Sequence, residues 1–371
     1  MYKLAFISPN KEAYSETFIK AQKDNLKGEL KYYYGGFLPT HLEGQGKLKN
    51  SLYYYFITLL KRLQIIKSIL THKEYRLIRS FKQNKIDVVL AQYGQTGASC
   101  LNICKKLHLP LIVHFHGYDA VHKDVLYKYL NIYKEMFEYA SYVIVVSEIM
   151  KGKLIEYGSP IEKIVLNHYG PNKEFEKIQP DFTSPFFAAV GRFADTKAPY
   201  YTIFAFHKVL QKFPNARLAF AGVGPLFGDC INIVKYLKIE HAVKFCGILS
   251  QLEVAELFSN SFCFVQHSIT SINGDMEGTP NSVLESSMAS LPVISTLHAG
   301  IPDVIIHDKT GFLVEEHDVE KMAEYMSSLF ENRELAKKMG EVGRVNIKSN
   351  FTIEKYIEKL DKIIGNSVNR K

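Results

Sequence analysis

The chain alternates two apolar patterns. Short runs rich in β-branched and aromatic residues fall at 3–8, 88–92, 111–115 and 142–146, and again at 186–190, 217–221, 243–246, 263–266 and 292–296. Longer segments between them repeat apolar residues at helical spacing. Runs that are apolar throughout, rather than alternating, predict strands buried on both faces of parallel sheets and joined by crossover helices. Two such series predict an α/β protein of two domains, and 371 residues are enough for two cores. Residues 170–185 hold three prolines and no apolar periodicity, which reads as the linker. The domains are accordingly expected at 1–178 and 183–350, with a final amphipathic helix at about 352–371.

One segment departs from this alternation. Leu52, Phe56, Leu59, Leu60, Leu63, Ile66 and Leu70 recur at helical spacing, and the stretch from 61 to 85 carries eight Lys and Arg against the single acid Glu74. Two readings stand side by side. The helix around 51–85 either turns its apolar face to the core and solvates its basic face, or touches an anionic lipid surface, which the tyrosines 53–55 also suit. Charge is skewed the same way: residues 1–180 hold 26 basic against 16 acidic side chains, and the remainder 20 against 22. No nucleic-acid module accompanies the basic face, so no nucleic-acid partner is expected.

Composition adds limits. With 47% hydrophobic and 23% charged residues the chain is globular. Its most apolar stretch, 52–60, is too short to span a bilayer, and MYKLAFISPN has none of the three regions of a signal peptide. A cytoplasmic protein is the expectation. The cysteines at 100, 104, 230, 246 and 263 are odd in number and lack zinc spacing, so free thiols are expected.

The chemistry concentrates in a few strings. In Glu277-Gly-Thr-Pro-Asn-Ser-Val-Leu-Glu285 two carboxylates bracket an expected helix start, with Thr279 as N-cap and Pro280 in the first helical position. The first-turn amides, Asn281 included, offer an anion site, and Gly278 lets the backbone come close to a ligand. Glu285 suits the vicinal hydroxyls of a ribose and Glu277 those of a hexose. Gly191, Arg192 and Lys197 leave the carboxyl end of the strand at 186–190, where open α/β sheets bind ligands, and two cations there suit a diphosphate. Gly222 and Gly224 form a tight turn after the next strand; Ile248 and Leu249, after the one beyond, can offer main-chain groups to a nucleobase. In the first half, His114-Phe-His-Gly-Tyr-Asp119 closes a strand. It places His116, Tyr118 and Asp119 at a carboxyl end, and Ser15, Glu16 and Thr17 open a helix whose first turn can face the same place. Each of these groups alone also has a bland reading, as a solvated loop or a structural turn.

Taken in this order, SETFI, HFHGYD, GRFADTK, AGVGPL and EGTPNSVLESSMASLPVISTLHAGIPDVI resemble family 4 of the retaining glycosyltransferases, which have the GT-B fold of two Rossmann-like domains facing across a cleft. SETFI and HFHGYDA resemble the subgroup that builds bacterial exopolysaccharide, capsule or lipopolysaccharide. The resemblance implies transfer of a sugar, with retention, from a UDP- or GDP-sugar to a growing cell-surface glycan. The acceptor would be a glycan or lipid-linked oligosaccharide at the inner face of the plasma membrane. It makes Arg192 and Lys197 the diphosphate clamp, Glu285 the ribose ligand, Glu277 the donor-sugar ligand and His116 a contact near the reacting carbon. The nucleotide-sugar is a co-substrate, and no cofactor is expected. No D-x-D triplet occurs, which fits a metal-independent enzyme.

Two departures from the family pattern stand out. SPNKEAYSET replaces a glycine-rich turn after the first strand, and Lys197-Ala198 replaces the usual Lys-Gly. The alternatives are a GT-B epimerase or phosphorylase, or a non-catalytic scaffold with a decayed site. A nucleotide-dependent dehydrogenase needs G-x-G-x-x-G after its first strand, which is absent.

Overall fold

A computed structural model describes residues 2–11, 13, 16–49 and 71–369. The chain forms two compact units. The first comprises Met1–Val146, Met150–Asn167 and Ile357–Lys371, and the second Ser147–Ile149 and His168–Tyr356.

The first unit is built on β1 (Lys3–Ile7), β2 (Glu29–Tyr34), β3 (His41–Leu42), β4 (Gly46–Lys47), β5 (Val88–Gln92), β6 (Leu111–His114), β7 (Tyr142–Val145) and β8 (Ile164–Leu166). They form one sheet in the order β4-β3-β2-β1-β5-β6-β7-β8. The six strands from β2 to β8 run parallel, and β3 and β4 extend the β2 edge as a short antiparallel ribbon. Every residue of β5, β6 and β7 is buried, as expected of parallel strands covered on both faces.

Of the basic segment, residues 50–70 lie outside the described residues, and a helix runs His72–Asn84. Thr71 caps it in extended conformation: the Glu74 amide donates to Thr71 Oγ1 at 3.3 Å and the Thr71 amide to Glu74 Oε2 at 2.6 Å. That reciprocal box ends any helix arriving from before, so one continuous helix through 51–85 is corrected. The lone acid of the basic stretch is therefore a cap. At the other end of the chain, the helix Ile353–Asn369 is tied into the first unit by Asp361, which accepts from Tyr2 Oη at 3.3 Å and Lys27 N at 2.9 Å.

The second unit carries β9 (Phe186–Val190), β10 (Arg217–Ala221), β11 (Val243–Gly247), β12 (Cys263–Val265), β13 (Val293–Thr296) and β14 (Gly311–Val314), all parallel in the order β11-β10-β9-β12-β13-β14. Phe187, Phe262 and Phe330 pack together on one face, with the Arg333 guanidinium 3.5 Å from the Phe262 ring centroid. The order steps outward in both directions from β9 and β12. That reversal puts the loop after β9 at a topological switch point, the place where open α/β sheets bind ligands. Four of the five cysteines are buried and all are free; burial pushes the Cys100 thiol up to about 12, which makes it unreactive.

The loop after β9 turns through Ala198, whose backbone is left-handed at φ 33°, ψ 55°, and enters the helix Pro199–Lys212 with Pro199 in the first turn. An alanine there carries a Cβ penalty of about 1 kcal/mol that a glycine avoids. Ala198→Gly should therefore raise stability by about 0.5–1 kcal/mol despite the added chain entropy, read as a higher urea midpoint. A lower midpoint would mean that the buried Ala198 methyl stabilises more than the strain costs.

Candidate functional site

In the second unit, the loop after β9 is shaped around Lys197. A Cβ on Gly191 would lie 2.5 Å from Lys197 Cδ, so only glycine lets the lysine stem lie flat on the strand end. Gly222, at φ 129°, makes the same room one strand over: its Cβ would come within 1.9 Å of the Gly191 carbonyl oxygen. Gly224 in turn packs on the Phe193 carbonyl. These glycines close the turn on itself. Gly191, Arg192, Lys197 and Gln266 line a shallow depression at this strand end.

Lys197 Nζ lies 3.1 Å from Glu277 Oε1, with side chains only 17% and 15% exposed. Burial alone would raise the Glu277 carboxyl; Lys197 above all, with Arg192, outweighs it, and the carboxyl stays below its ordinary range. It is a carboxylate at neutral pH. Gln266 supports the pair from beneath, with its Oε1 3.5 Å from Lys197 Nζ and accepting from Ser282 Oγ at 2.9 Å, while its Nε2 donates to Ser268 Oγ at 2.8 Å. The structure thus brings Arg192, Lys197 and Glu277 together.

The helix that follows runs Asn281–Met288, and its N-cap is Pro280, at φ −63°, ψ 122°. Thr279 as cap is corrected: the helix begins one residue later than its sequence suggests, with Pro280 outside it. Pro280, as the cap residue, has no side-chain group to offer the first-turn amides, and such an end suits an outside anion. Gly278 is held by its carbonyl, which accepts from Gly300 N at 2.9 Å. Glu285 lies in the second turn, and burial pushes its carboxyl up to about 7. Ile248 is exposed at the end of β11, and Leu249 follows it.

In the first unit, β6 delivers His116 to its carboxyl end. His116 Nε2 lies 2.9 Å from Gln92 Oε1, and Gln92 Nε2 donates to Gln22 Oε1 at 2.7 Å, so the glutamine oxygen accepts from the ring. Burial, with His114 beside it, holds the His116 ring well below its usual range, and His114 itself falls to about 3. Asp119 lies below them. It accepts from the amides of His116 at 2.9 Å, Gly117 at 3.1 Å and Gly94 at 2.8 Å, and so caps the helix Gly94–Leu107. Burial raises its carboxyl to about 6 in spite of these bonds. Asp119 is fully buried, and the exposed side chain of the trio is Tyr118. Glu16, the N-cap of Thr17–Asn25, accepts through Oε1 from Tyr93 Oη and Asn10 Nδ2, both at 2.8 Å, and Tyr93 sets its ring edge against His116 with centroids 4.7 Å apart. Ser15 lies outside the described residues.

Sequence reasoning missed five contributors: Gln92, Gln266, Ser282, His298 and Glu316. All act by hydrogen bonds that no periodicity announces. Among the described residues no cluster of three ligating side chains gathers to hold a metal ion.

A family model described as Glycosyltransferase Family 4 matches residues 53–174, and one described as Glycosyl transferases group 1 matches residues 172–346. The chain is 27% identical over 249 residues to WcaL of Escherichia coli (strain K12), assigned to colanic acid biosynthesis, covering 66% of this chain and 61% of that one. It is 28% identical over 242 residues to the amylovoran biosynthesis glycosyltransferase AmsK of Erwinia amylovora, covering 64% and 60%. The alignments thus span about six tenths of these relatives' length. Among solved structures, Anabaena HepE in complex with UDP superposes with a TM-score of 0.78 at 16% identity, over 99% of this chain and 100% of that one. Sucrose-phosphate synthase from Thermosynechococcus elongatus gives 0.75 at 16% identity over 100% of both. The shared architecture is the two-domain GT-B fold.

Glu285 yields a pH prediction. Its folded carboxyl, at about 7, stands above the ordinary 4.5, so the folded state holds the proton more tightly. The protein is then most stable below pH 4.5 as far as this group goes, and loses that contribution as pH rises from 4.5 through 7. The loss is about 1–3 kcal/mol after discounting for partial exposure. Glu285→Gln should flatten this fall, seen by comparing urea midpoints of the two proteins at pH 5 and pH 8. An equal fall in both would show that Glu285 does not carry it.

Proposed function

We propose that this chain, which belongs to the family 4 and group 1 glycosyltransferases, transfers a sugar from a UDP- or GDP-sugar to a growing exopolysaccharide acceptor. The observation that carries the reading is the Lys197–Glu277 ion pair beside Arg192, at a switch-point strand end and close in sequence to the N-terminus of the helix Asn281–Met288. Two cations and one carboxylate leave the site a net positive charge, which favours a diphosphate. As the donor enters, Lys197 turns part of its charge to the phosphates and Glu277 gains lone pairs for hexose hydroxyls. Negative charge grows on the diphosphate as the glycosidic bond to the nucleotide breaks. Fixed cations and helix amides stabilise it there without reorganising. This charge placement needs no metal ion to neutralise the leaving group. Retention follows the family resemblance: the acceptor hydroxyl attacks the face the diphosphate leaves, and a leaving-group oxygen takes its proton. The names of WcaL and AmsK support an exopolysaccharide pathway, and the UDP-glucose complex of HepE, a structural neighbour, supports a uridine donor.

Binding is tested first. UDP at a hundred times its dissociation constant should stabilise the protein by about 2.7 kcal/mol, seen as a thermal shift against GDP and ADP controls. Release of nucleoside diphosphate should depend on added acceptor and survive EDTA; release that depends on phosphate instead points to a phosphorylase, and interconversion of donor sugars without release to an epimerase. In Lys197→Ala, kcat should fall at least a hundredfold while donor KM moves less than about threefold, because leaving-group charge peaks in the transition state. A folded variant with near-normal kcat would remove Lys197 from the clamp.

The acceptor reading extends to a lipid-linked glycan held at an anionic membrane face. No helix of the described residues is long and apolar enough to cross a membrane, so attachment would be peripheral. The described part of the basic segment places Arg76 and Arg79 on the helix His72–Asn84, while Lys61, Arg62 and Lys67 lie outside the described residues. Each basic residue near an anionic leaflet contributes about 1 kcal/mol, screened by salt. Co-sedimentation with phosphatidylserine vesicles should show binding at low salt that is lost when these five residues are neutralised; indifference of the wild type to the vesicles would end the membrane reading.

A further inference from the structure

Glu277 lies at the end of a loop that starts at Thr270. Ser271 N donates to the Asp275 carbonyl at 3.0 Å, Gly274 N to the Ser271 carbonyl at 2.8 Å and Asp275 N to Ser271 Oγ at 3.0 Å, bonds that close the tip. Both ends are held by two side chains from outside the loop. The Glu277 amide donates to His298 Nε2 at 3.1 Å. His298 Nδ1 lies 2.6 Å from Glu316 Oε1. Glu316 then accepts from Thr270 N at 2.8 Å through Oε2 and from Thr270 Oγ1 at 3.1 Å through Oε1.

The polarity of this chain is determined. A backbone N–H can only donate, so Nε2 of His298 carries no proton and Nδ1–H donates to the carboxylate. The ring is 1% exposed, so water cannot substitute for either bond. Thr270 and Glu277 are thus joined through one imidazole and one carboxylate. Burial works against the Glu316 carboxylate, but its bonds from Thr270 and His298 outweigh it and keep it ionised as this arrangement requires. His298 and Glu316 each lie two residues beyond a strand end, β13 at Thr296 and β14 at Val314, so the loop is referenced to two strands of the sheet.

We propose that His298 and Glu316 are a positioning pair that sets the Glu277 carboxylate for the donor hexose. The proposal rests on the nucleotide-sugar reading above. The pair touches no reacting atom. It acts by holding the Glu277 backbone, and so its loss is felt by the sugar of the donor and not by the nucleotide.

Two substitutions of the same ring separate this role from bulk packing. In His298→Gln the amide oxygen can take the place of Nε2 and accept from the Glu277 N–H. In His298→Asn the shorter amide can donate to Glu316 in place of Nδ1 but leaves the Glu277 N–H unmet. Calorimetry with UDP and with UDP-glucose should give UDP affinities within about threefold of wild type for both variants. UDP-glucose affinity should stay within threefold in His298→Gln and fall about tenfold in His298→Asn. Equal losses on both ligands in both variants would reduce His298 to a packing residue and overturn the proposal. Amide hydrogen exchange at Glu277 gives a second readout that needs no ligand: slow in wild type and His298→Gln, fast in His298→Asn. Equal exchange in the two variants also overturns it. If the exchange pattern holds but wild type binds neither UDP nor UDP-glucose, the pair stands and the donor reading fails.

Discussion

Two opposite charges held almost out of water set the terms for the second unit. Burying either Lys197 or Glu277 alone would cost several kcal/mol, and their attraction repays that only if the geometry is kept. Much of the local structure follows from keeping it. Gly191 lacks a side chain because the lysine stem occupies the place of one, and Gly222 lacks one because the Gly191 carbonyl occupies that. Ala198 accepts a left-handed backbone so that the chain can turn from Lys197 directly into a helix. Gln266 supplies an oxygen under the ammonium, and Arg192 adds a second positive charge. The ion pair is less a source of stability than a constraint that its surroundings satisfy.

The strands were legible in the sequence because parallel strands covered on both faces must be apolar throughout. All nine expected runs are strands, with ends within one residue. The ones that escaped have a different chemistry. β2 reads Glu-Leu-Lys-Tyr-Tyr-Tyr, with Lys3 and Lys31 paired to Glu29, so its apolar content lies in tyrosines and its start is polar. β8 is an edge strand with two of its three residues only partly buried, and β14, an edge strand of the second sheet, opens on Gly311, a residue type depleted in strands. The cap of Asn281–Met288 was misplaced for a related reason. Threonine followed by proline fits the usual start of a helix, but the Pro280 carbonyl accepts from Val283 N and Leu284 N, which makes proline itself the cap.

Side chains of the candidate site were legible where a charge sits in a loop at a strand end, as with Arg192, Lys197 and Glu277. They were not legible where the work is done by a neutral group whose partner lies far along the chain. His298 and Glu316 stand 21 and 39 positions after Glu277, and their relation exists only once β13 and β14 are paired. The same holds for Gln22, 70 positions before Gln92. Asp119 shows a role that its string did not announce: its oxygens accept from three backbone amides of two segments.

The two units handle charge in opposite ways, and this bears on what each can do. Around His116 burial strips charge: both histidine rings are pushed far toward the neutral form, and the Asp119 carboxyl is drawn up toward it. Such a site offers directed hydrogen bonds of fixed polarity, fit to orient a neutral polyhydroxylated group but poor at answering a charge that appears during reaction. Around Lys197 the Glu277 carboxyl is held below its ordinary range in spite of burial, beside the Lys197 and Arg192 side chains, so a field is in place before any ligand arrives. Breaking the bond between a sugar and a diphosphate leaves most new charge on the phosphate side, and among the described residues the charged set around Lys197 suits it. A neutral set of hydrogen bonds and a charged one, each kept by its own fold, is the division of labour that the proposed transfer would use.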